Sequence, residues 1–314
     1  MKWVVRSGML AVALLAIGSF ACSSAPVAQC SASGDGAASS GGGAANLGGA
    51  PNEAGAAGTS AVPLNVLVFN YTTGFGHQSR ETAIPLLEAA ARSNGIHLEL
   101  EYALRAVKAE GPSDQSNIAR DPCAAPVNTS AFVPGGLDGY DVVFFLNTTG
   151  TPLAADGAQQ ELVHQKALQD FMASKRGGFV GVHSATDTYA NWPWYVDMIG
   201  ASFAAHSMNG TRGTVTAAAG VVHPILTRSG LPLPWSRSDE WYAFDRDVST
   251  LADFTVLLDV EDAFYGRRPT AWVHELPGGG RAFYTSMGHG VEAFQEPAMM
   301  QLLMSGLLWA GHRL

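Results

Sequence analysis

The segment "GGFVGVHSAT" (residues 177–186) places a histidine directly after a short apolar run. The run ends at Val182, and His183 is followed by small residues. A strand that enters a sharp turn in this way presents the serine or cysteine nucleophile in α/β hydrolases. Here the turn residue is an imidazole, which can serve as a general base or as a metal ligand. We expect this turn to face solvent, so its chemistry depends on which other polar side chains reach His183.

Other polar residues follow predicted strands in the same way: His77, Asn147, Thr148 and His289. In open α/β sheets ligands bind outside the carboxyl ends of the strands. Residues that end neighbouring strands therefore converge, whatever their distance along the chain. His206 in "FAAHS" and the pair Asp239 and Glu240 in "SDEWYAF" are candidates to join this group.

The convergent residues form a set of nitrogen and carboxylate ligands. Neutral imidazole with carboxylate suits Zn²⁺, Mn²⁺ or Fe²⁺. We predict a divalent metal, Zn or Mn, with these ligands: His77, His183, His206 and His289. No H-x-x-x-H or H-x-H motif places two ligands on one element. The alternative therefore stays open that the histidines donate hydrogen bonds which tie loops together. As a catalytic set we predict His183, His289 and Glu240.

Aromatic and polar residues near the strand ends are candidates for binding a substrate. Trp192 and Trp241 offer faces that can stack on a sugar ring, or they pack a helix onto the sheet. Asp187 can orient His183 through the second ring nitrogen, as can Glu240, or it caps the next helix. The predicted substrate-binding residues are Asn147, Thr148, Asp187, Trp192, Asp239 and Trp241.

The elements that must position these residues alternate between strand and helix. Strands are predicted at residues 64–69, 96–104, 140–150, 177–184, 255–260, 270–276 and 281–287, and helices at 83–95, 156–174 and 297–310. This alternation predicts a mostly parallel sheet with helices on both faces. In the second helix Leu162 and Val163 are expected on the buried side. The Pro-Gly-Gly-Gly turn after residue 276 predicts an antiparallel edge, and residues 105–136 predict a long loop.

The first 60 residues indicate export. Lys2 and Arg6 precede a short apolar run, and a small residue precedes Cys22. This order is typical of a bacterial lipoprotein signal peptide over residues 1–22, with lipidation at Cys22; ordinary cleavage and secretion is the alternative. Residues 23–60 are rich in Ser, Gly and Ala and predict a disordered tether. We therefore expect a protein anchored by lipid to the cell envelope, at the outer membrane or cell surface.

Composition limits the classes of partner. A net charge of −9 argues against nucleic acid, which needs a basic face. The chain has three cysteines and no C-x-x-C motif, which argues against zinc ribbons and thioredoxin-like sites. Whether Cys30 and Cys123 form a disulfide stays open, because Cys30 lies in the tether. Residues 61–314 show no internal repeat and predict one folded domain, whose oligomeric state the sequence does not indicate.

Several longer motifs occur together in this chain: "VLVFNYTTGFGHQS", "YDVVFFLNTTG", "GGFVGVHSATDT", "WPWYVDMIGASFAAH", "SDEWYAF" and "FYTSMGHG". In this order they resemble ThuA-like proteins, the trehalose-utilisation family, over about residues 64–311. The resemblance implies a flavodoxin-like three-layer α/β sandwich, similar to class I glutamine amidotransferases. Two features depart from the family pattern, namely the long segment 105–136 and Ser207 after the "FAAH" motif.

The resemblance also implies a function. In the amidotransferases the elbow residue is a cysteine, activated by a histidine after a later strand; here His183 and His289 take these places, with Glu292 as a candidate acidic partner. Without a thiol the acyl-enzyme chemistry is lost, so we expect no glutamine hydrolysis. The family's link to disaccharides implies a small carbohydrate partner, either a disaccharide or a keto-sugar derivative. A metal-assisted hydrolase or other sugar-modifying enzyme, a non-catalytic sugar-binding module and a structural surface protein all stay open.

Overall fold

The computed structural model describes residues 63–93, 98–102 and 129–314. The predictions for the signal peptide, the tether, the three cysteines and most of segment 105–136 lie outside these residues. Within the described part of the chain, no helix combines the length and the apolar character needed to cross a membrane.

Up to residue 182 the described elements alternate between strand and helix as the sequence pattern predicts. Further along the chain the structure has four strands that the pattern did not predict, at residues 203–206, 211–217, 235–239 and 242–244. The strands are β1 Leu64–Phe69, β2 Leu98–Tyr102, β3 Val142–Leu146, β4 Gly178–Val182, β5 Phe203–His206, β6 Thr211–Ala217, β7 Trp235–Asp239, β8 Tyr242–Phe244, β9 Phe254–Asp262, β10 Gly266–Glu275 and β11 Arg281–Thr285. The helices are α1 Ser79–Ser93, α2 Ala158–Ala173, α3 Pro193–Ile199, α4 Pro224–Ser229, α5 Val291–Gln295 and α6 Pro297–Ala310. Short 3₁₀ helices span Pro152–Asp156, His183–Asp187 and Val248–Thr250.

One large sheet carries the fold, in the order β2-β1-β3-β4-β11-β10-β9-β6-β7. The strands from β2 to β11 in this order are parallel, and their arrangement is the flavodoxin-like order with β11 as fifth strand. This confirms the predicted fold class. The β10–β11 hairpin is antiparallel as expected. It does not form the edge of the sheet, however, because β9, β6 and β7 extend the sheet beyond it.

Both faces of the sheet are buried, which explains the continuous apolar runs in its parallel strands. Along β1, Val66 and Val68 belong to one hydrophobic cluster, together with residues of α1 and α6. Leu67 and Phe69 alternate with them and belong to a second cluster, together with residues of α2 and α3. Side chains of a strand point to opposite faces in turn, so the two clusters make a three-layer sandwich.

Two local predictions from the sequence are wrong. The first helix begins at Ser79, four residues before the start expected from its apolar pattern. Leu162 and Val163 of α2 are exposed, whereas His164 is buried and its Nδ1 lies 2.8 Å from the carbonyl oxygen of Leu153. A backbone carbonyl thus satisfies His164 and lets it face the sheet in place of the two aliphatic residues.

Candidate functional site

The predicted elbow is present at the end of β4. His183 directly follows Val182 and adopts φ +49°, in the left-handed region that non-glycine residues rarely enter. Such a conformation costs about 1–3 kcal/mol and persists only where its surroundings enforce it. The Tyr284 hydroxyl donates to the carbonyl oxygen of His183 at 2.7 Å. The expectation that this turn faces solvent is wrong, because His183 is completely buried.

Four buried side chains meet at this elbow: His77, His183, Glu240 and His289. One ligand atom from each lies within 4.8 Å of all the others, and none of the four residues is more than 8% exposed. Glu240 Oε2 lies 3.2 Å from His289 Nδ1 and 3.4 Å from His183 Nε2. The two imidazole nitrogens are 3.3 Å apart. We call these four residues the histidine–glutamate group; they can hold a metal ion.

Two of the imidazoles are fixed through their Nδ1 atoms. His183 Nδ1 lies 2.7 Å from the carbonyl oxygen of Ser286, an acceptor that assigns the proton to Nδ1. His77 Nδ1 lies 3.3 Å from the Ser184 hydroxyl. Asp187 and Glu240, the acceptors expected for the second nitrogen of His183, do not have this role. A ring held through Nδ1 leaves Nε2 to bind a metal, which is the usual arrangement at histidine metal sites.

The electrostatics of the group favour the ligand forms of His77 and Glu240. Burial lowers the pKa of His77 well below its ordinary value, and the neighbouring His183 and His289 lower it further. Burial alone would raise the pKa of Glu240, but hydrogen bonds from His183 and His289 outweigh it and hold that pKa well below its usual range. At neutral pH His77 is therefore neutral and Glu240 is ionised, as metal binding requires.

His206, predicted as a ligand, lies beside the group and not within it. Its side chain is 48% exposed, and its Nδ1 lies 3.1 Å from Glu240 Oε1. The same nitrogen is 2.7 Å from the carbonyl oxygen of Ser207. The structure thus puts Glu240 in the fourth position of the group. Glu292, the expected acidic partner of His289, is exposed, and Glu240 has that place as well.

Three of the predicted substrate-binding residues are buried and contact other parts of the protein. Asn147 is buried, and its Nδ2 donates to the carbonyl oxygen of Gly288 and to the Ser79 hydroxyl, both at 2.9 Å. The buried Thr148 shares a 2.8 Å hydrogen bond with the Thr188 hydroxyl. Trp241 is also buried. All three side chains are therefore buried with internal contacts, and their role in substrate binding stays a prediction.

Trp241 is fixed by one hydrogen bond and by close packing against Gly213. Its indole nitrogen donates to the carbonyl oxygen of Thr211 at 2.7 Å. A β-carbon on Gly213 would come within 2.7 Å of the indole ring, so only glycine fits over it.

Asp239 is buried as well, and its carboxylate accepts four hydrogen bonds from protein donors. Its role in substrate binding stays a prediction. Trp192 and Asp187 are half-buried. The Trp192 ring packs 5.2 Å from Tyr189 and 5.0 Å from Trp194, measured between ring centres. Burial raises the pKa of Asp187, which the charge of His183 partly opposes.

Phe75 is an exposed aromatic residue beside the histidine–glutamate group that the sequence pattern did not single out. Its side chain is 47% exposed, and its ring centre lies 4.9 Å from that of His77. The Thr149 hydroxyl donates to the Phe75 carbonyl oxygen at 2.9 Å and so fixes the loop. An aromatic residue two positions before His77, in "TTGFGHQS", is the signal that could have identified it.

The family assignment rests on nearly the whole folded region. The model of the ThuA family, described as trehalose utilisation, matches residues 65–310. The chain belongs to the ThuA family. A comparison with curated proteins finds no match.

Solved ThuA-like proteins share the fold of this ThuA-family chain. A ThuA-like protein from Bacteroides uniformis is 20% identical with a TM-score of 0.57, covering 83% of this chain and 95% of its own. One from Parabacteroides merdae is 18% identical with a TM-score of 0.53, covering 80% and 90%. At these identities the similarity establishes the fold alone. The chemistry of this ThuA-family protein must therefore be argued from its own histidine–glutamate group.

Proposed function

We propose that this ThuA-family protein binds a divalent metal, Zn²⁺ or Mn²⁺, in the histidine–glutamate group and acts on a carbohydrate there. The spacing of the ligand atoms carries the proposal. A tetrahedral zinc ion with bonds of about 2.0–2.1 Å separates its ligand atoms by about 3.3–3.4 Å. The three distances among Glu240, His183 and His289 are 3.2, 3.4 and 3.3 Å. His77 completes the group within 4.8 Å, so its ligand atom has to approach the others by about 1.4 Å at most.

The polarity of the group supports a cation at its centre. His183 Nε2 and His289 Nδ1 both face the same oxygen of Glu240. His183 Nδ1 is already engaged with the Ser286 carbonyl oxygen. Nε2 and the carboxylate therefore need a donor or a cation between them, and either the Nδ1–H of His289, 3.3 Å from Nε2 and 3.2 Å from Glu240 Oε2, or a metal ion can supply it.

The carbohydrate part of the proposal rests on the family description and on Phe75. Aromatic faces bury the apolar face of a ligand ring, and Phe75 offers such a face beside His77. A bound ion would polarise a sugar carbonyl or hydroxyl, or acidify a water molecule. The elbow carries His183 in place of a thiol, so the proposed activity does not include glutamine hydrolysis. The proposal also places the protein at the cell envelope, which rests on the lipoprotein signal peptide predicted for residues 1–22.

Metal analysis of two buried-histidine variants tests the proposal. His77 and His164 are both 3% exposed, but His164 has a backbone carbonyl as partner and lies outside the group. Wild-type protein purified with Zn²⁺ or Mn²⁺ should retain about one ion per chain. His77→Ala should lose most of it, while His164→Ala should keep it. Wild-type protein without stoichiometric metal, or equal metal content in both variants, would contradict the proposal.

A non-catalytic sugar-binding module is the second candidate, and the burial of the group favours it. A metal surrounded by residues at most 8% exposed can serve to rigidify the elbow and need not touch a substrate. Turnover of a disaccharide or keto-sugar by the metal-loaded protein would favour the enzyme. Stoichiometric sugar binding without turnover would favour the module.

A further inference from the structure

Asp239, at the end of β7, has its two carboxylate oxygens fully engaged. Oδ1 accepts from the backbone N–H of Glu240 at 2.9 Å and of His289 at 3.1 Å. Oδ2 accepts from the backbone N–H of Gly288 and from Arg237 Nη1, both at 2.9 Å. Two of the four donors therefore belong to members of the histidine–glutamate group.

The sheet itself does not hold these two members together. Glu240 follows β7, the last strand of the antiparallel half, whereas His289 follows β11. Strands β10, β9 and β6 lie between β7 and β11 in the sheet, so no ladder of backbone hydrogen bonds joins the two segments. The carboxylate of Asp239 joins them directly, since one of its oxygens receives the N–H groups of both.

A buried arginine holds Asp239 in turn. Arg237 is 4% exposed, as is Asp239. Its Nε donates to Glu296 Oε1 at 3.2 Å, at the start of α6. The Trp235 ring covers the guanidinium group, with its centre 4.8 Å from Cζ. A charge-assisted pair fixed in this way has little freedom to move.

We propose that Asp239 is a positioning residue, which sets the distance between Glu240 and His289 and thereby the metal affinity of the site. This inference rests on the metal centre proposed above. Asparagine has nearly the same shape, but one of its two terminal atoms is an NH₂ donor. In the wild type both oxygens of Asp239 accept from N–H donors. In Asp239→Asn the NH₂ group must therefore face N–H groups and leaves them without an acceptor. Loss of a partner that orients metal ligands costs about 10–100-fold in metal affinity.

The chain offers a matched control in Asp262, which is 8% exposed and also accepts backbone hydrogen bonds and pairs with an arginine. It receives the N–H groups of Phe264 at 2.7 Å and Tyr265 at 3.1 Å, and it contacts Arg268. Asp262→Asn therefore removes a similar buried carboxylate that joins none of the four ligands.

The experiment compares full-length wild type, Asp239→Asn and Asp262→Asn. Zn²⁺ affinity is measured by competition with a chelator, and the geometry of the site by the visible spectrum of bound Co²⁺. We expect Asp239→Asn to bind Zn²⁺ about 10–100-fold more weakly, with an altered Co²⁺ spectrum. Asp262→Asn should keep the wild-type Zn²⁺ affinity and Co²⁺ spectrum, even if its melting temperature falls by as much as that of Asp239→Asn.

The inference is overturned if Asp239→Asn keeps the wild-type affinity and spectrum, or if Asp262→Asn shows the same loss. If wild-type protein binds neither ion, the proposed metal centre fails and this inference fails with it. Should Asp239→Asn not fold, Arg237→Lys replaces it. That variant keeps the positive charge but loses the planar guanidinium, and an unchanged Zn²⁺ affinity in it overturns the inference.

Discussion

Replacing His183 by alanine separates the structural role of the elbow from its proposed metal-binding role. The substitution leaves the Ser286 carbonyl oxygen without its 2.7 Å partner, at a cost of about 1–3 kcal/mol. It also removes the ring that packs 4.2 Å from Tyr242, centre to centre, which is worth about 0.5–1.5 kcal/mol. Alanine adopts φ +49° no more readily than histidine, so the substitution gains nothing from the backbone.

The metal-free variant should therefore be about 2–4 kcal/mol less stable than wild type. For a domain of this size that lowers the melting temperature by about 5–15 °C. Metal at about 100 times its dissociation constant stabilises the wild type by about 2.7 kcal/mol. The wild-type melting temperature should accordingly rise by about 5–10 °C with Zn²⁺, whereas that of His183→Ala should not change.

His274→Ala is the control for this experiment. His274 is also buried, with Nδ1 3.0 Å from the Met198 carbonyl oxygen and its ring 4.1 Å from that of Phe254. It should lose a similar amount of stability but keep the rise with Zn²⁺. A His183→Ala protein that still gains stability from Zn²⁺ would refute the assignment. A variant with unchanged melting temperature would refute the packing argument.

Four further predictions concern the exposed Phe75, the pH dependence of stability and the N-terminal region. Phe75→Ala should weaken trehalose binding about three- to tenfold in calorimetry without changing metal content, while Leu162→Ala on the exposed side of α2 should change neither. The folded, metal-free protein resists protonation of His77, whose ordinary pKa is 6.5, whereas the unfolded chain does not. Stability should therefore fall as pH drops below about 6.5, and urea unfolding should show a flatter pH dependence in His77→Gln. Mass spectrometry should find lipid on Cys22 of the mature protein, and Cys22→Ala should release the protein from the membrane fraction; an unmodified N-terminus elsewhere contradicts this. A fragment starting at Val62 should melt at the same temperature as the mature protein, and a clearly lower value would show that the preceding segment packs on the domain.

The sequence alone predicted the parallel half of the sheet, the elbow, and the three histidines of the histidine–glutamate group as ligands, with Glu240 as a candidate to join them. Apolar runs that alternate with helical patterns predict a sheet buried on both faces. Polar residues that directly follow such runs lie at one edge of the sheet, because parallel strands end on the same side. That rule is enough to bring His77, His183 and His289 together across more than 200 residues of sequence.

Only the tertiary structure decided which way the remaining polar residues point. Asp239 and Glu240 are neighbours in the sequence, yet Asp239 accepts backbone hydrogen bonds while Glu240 belongs to the histidine–glutamate group. His206, which the sequence also predicted as a metal ligand, has a side chain that is 48% exposed and lies outside the group. The orientation of such a side chain depends on donors supplied by segments far away in the chain, such as the N–H groups of Gly288 and His289. A buried carboxylate turns towards whichever donors the folded chain brings to it, and no local pattern encodes them.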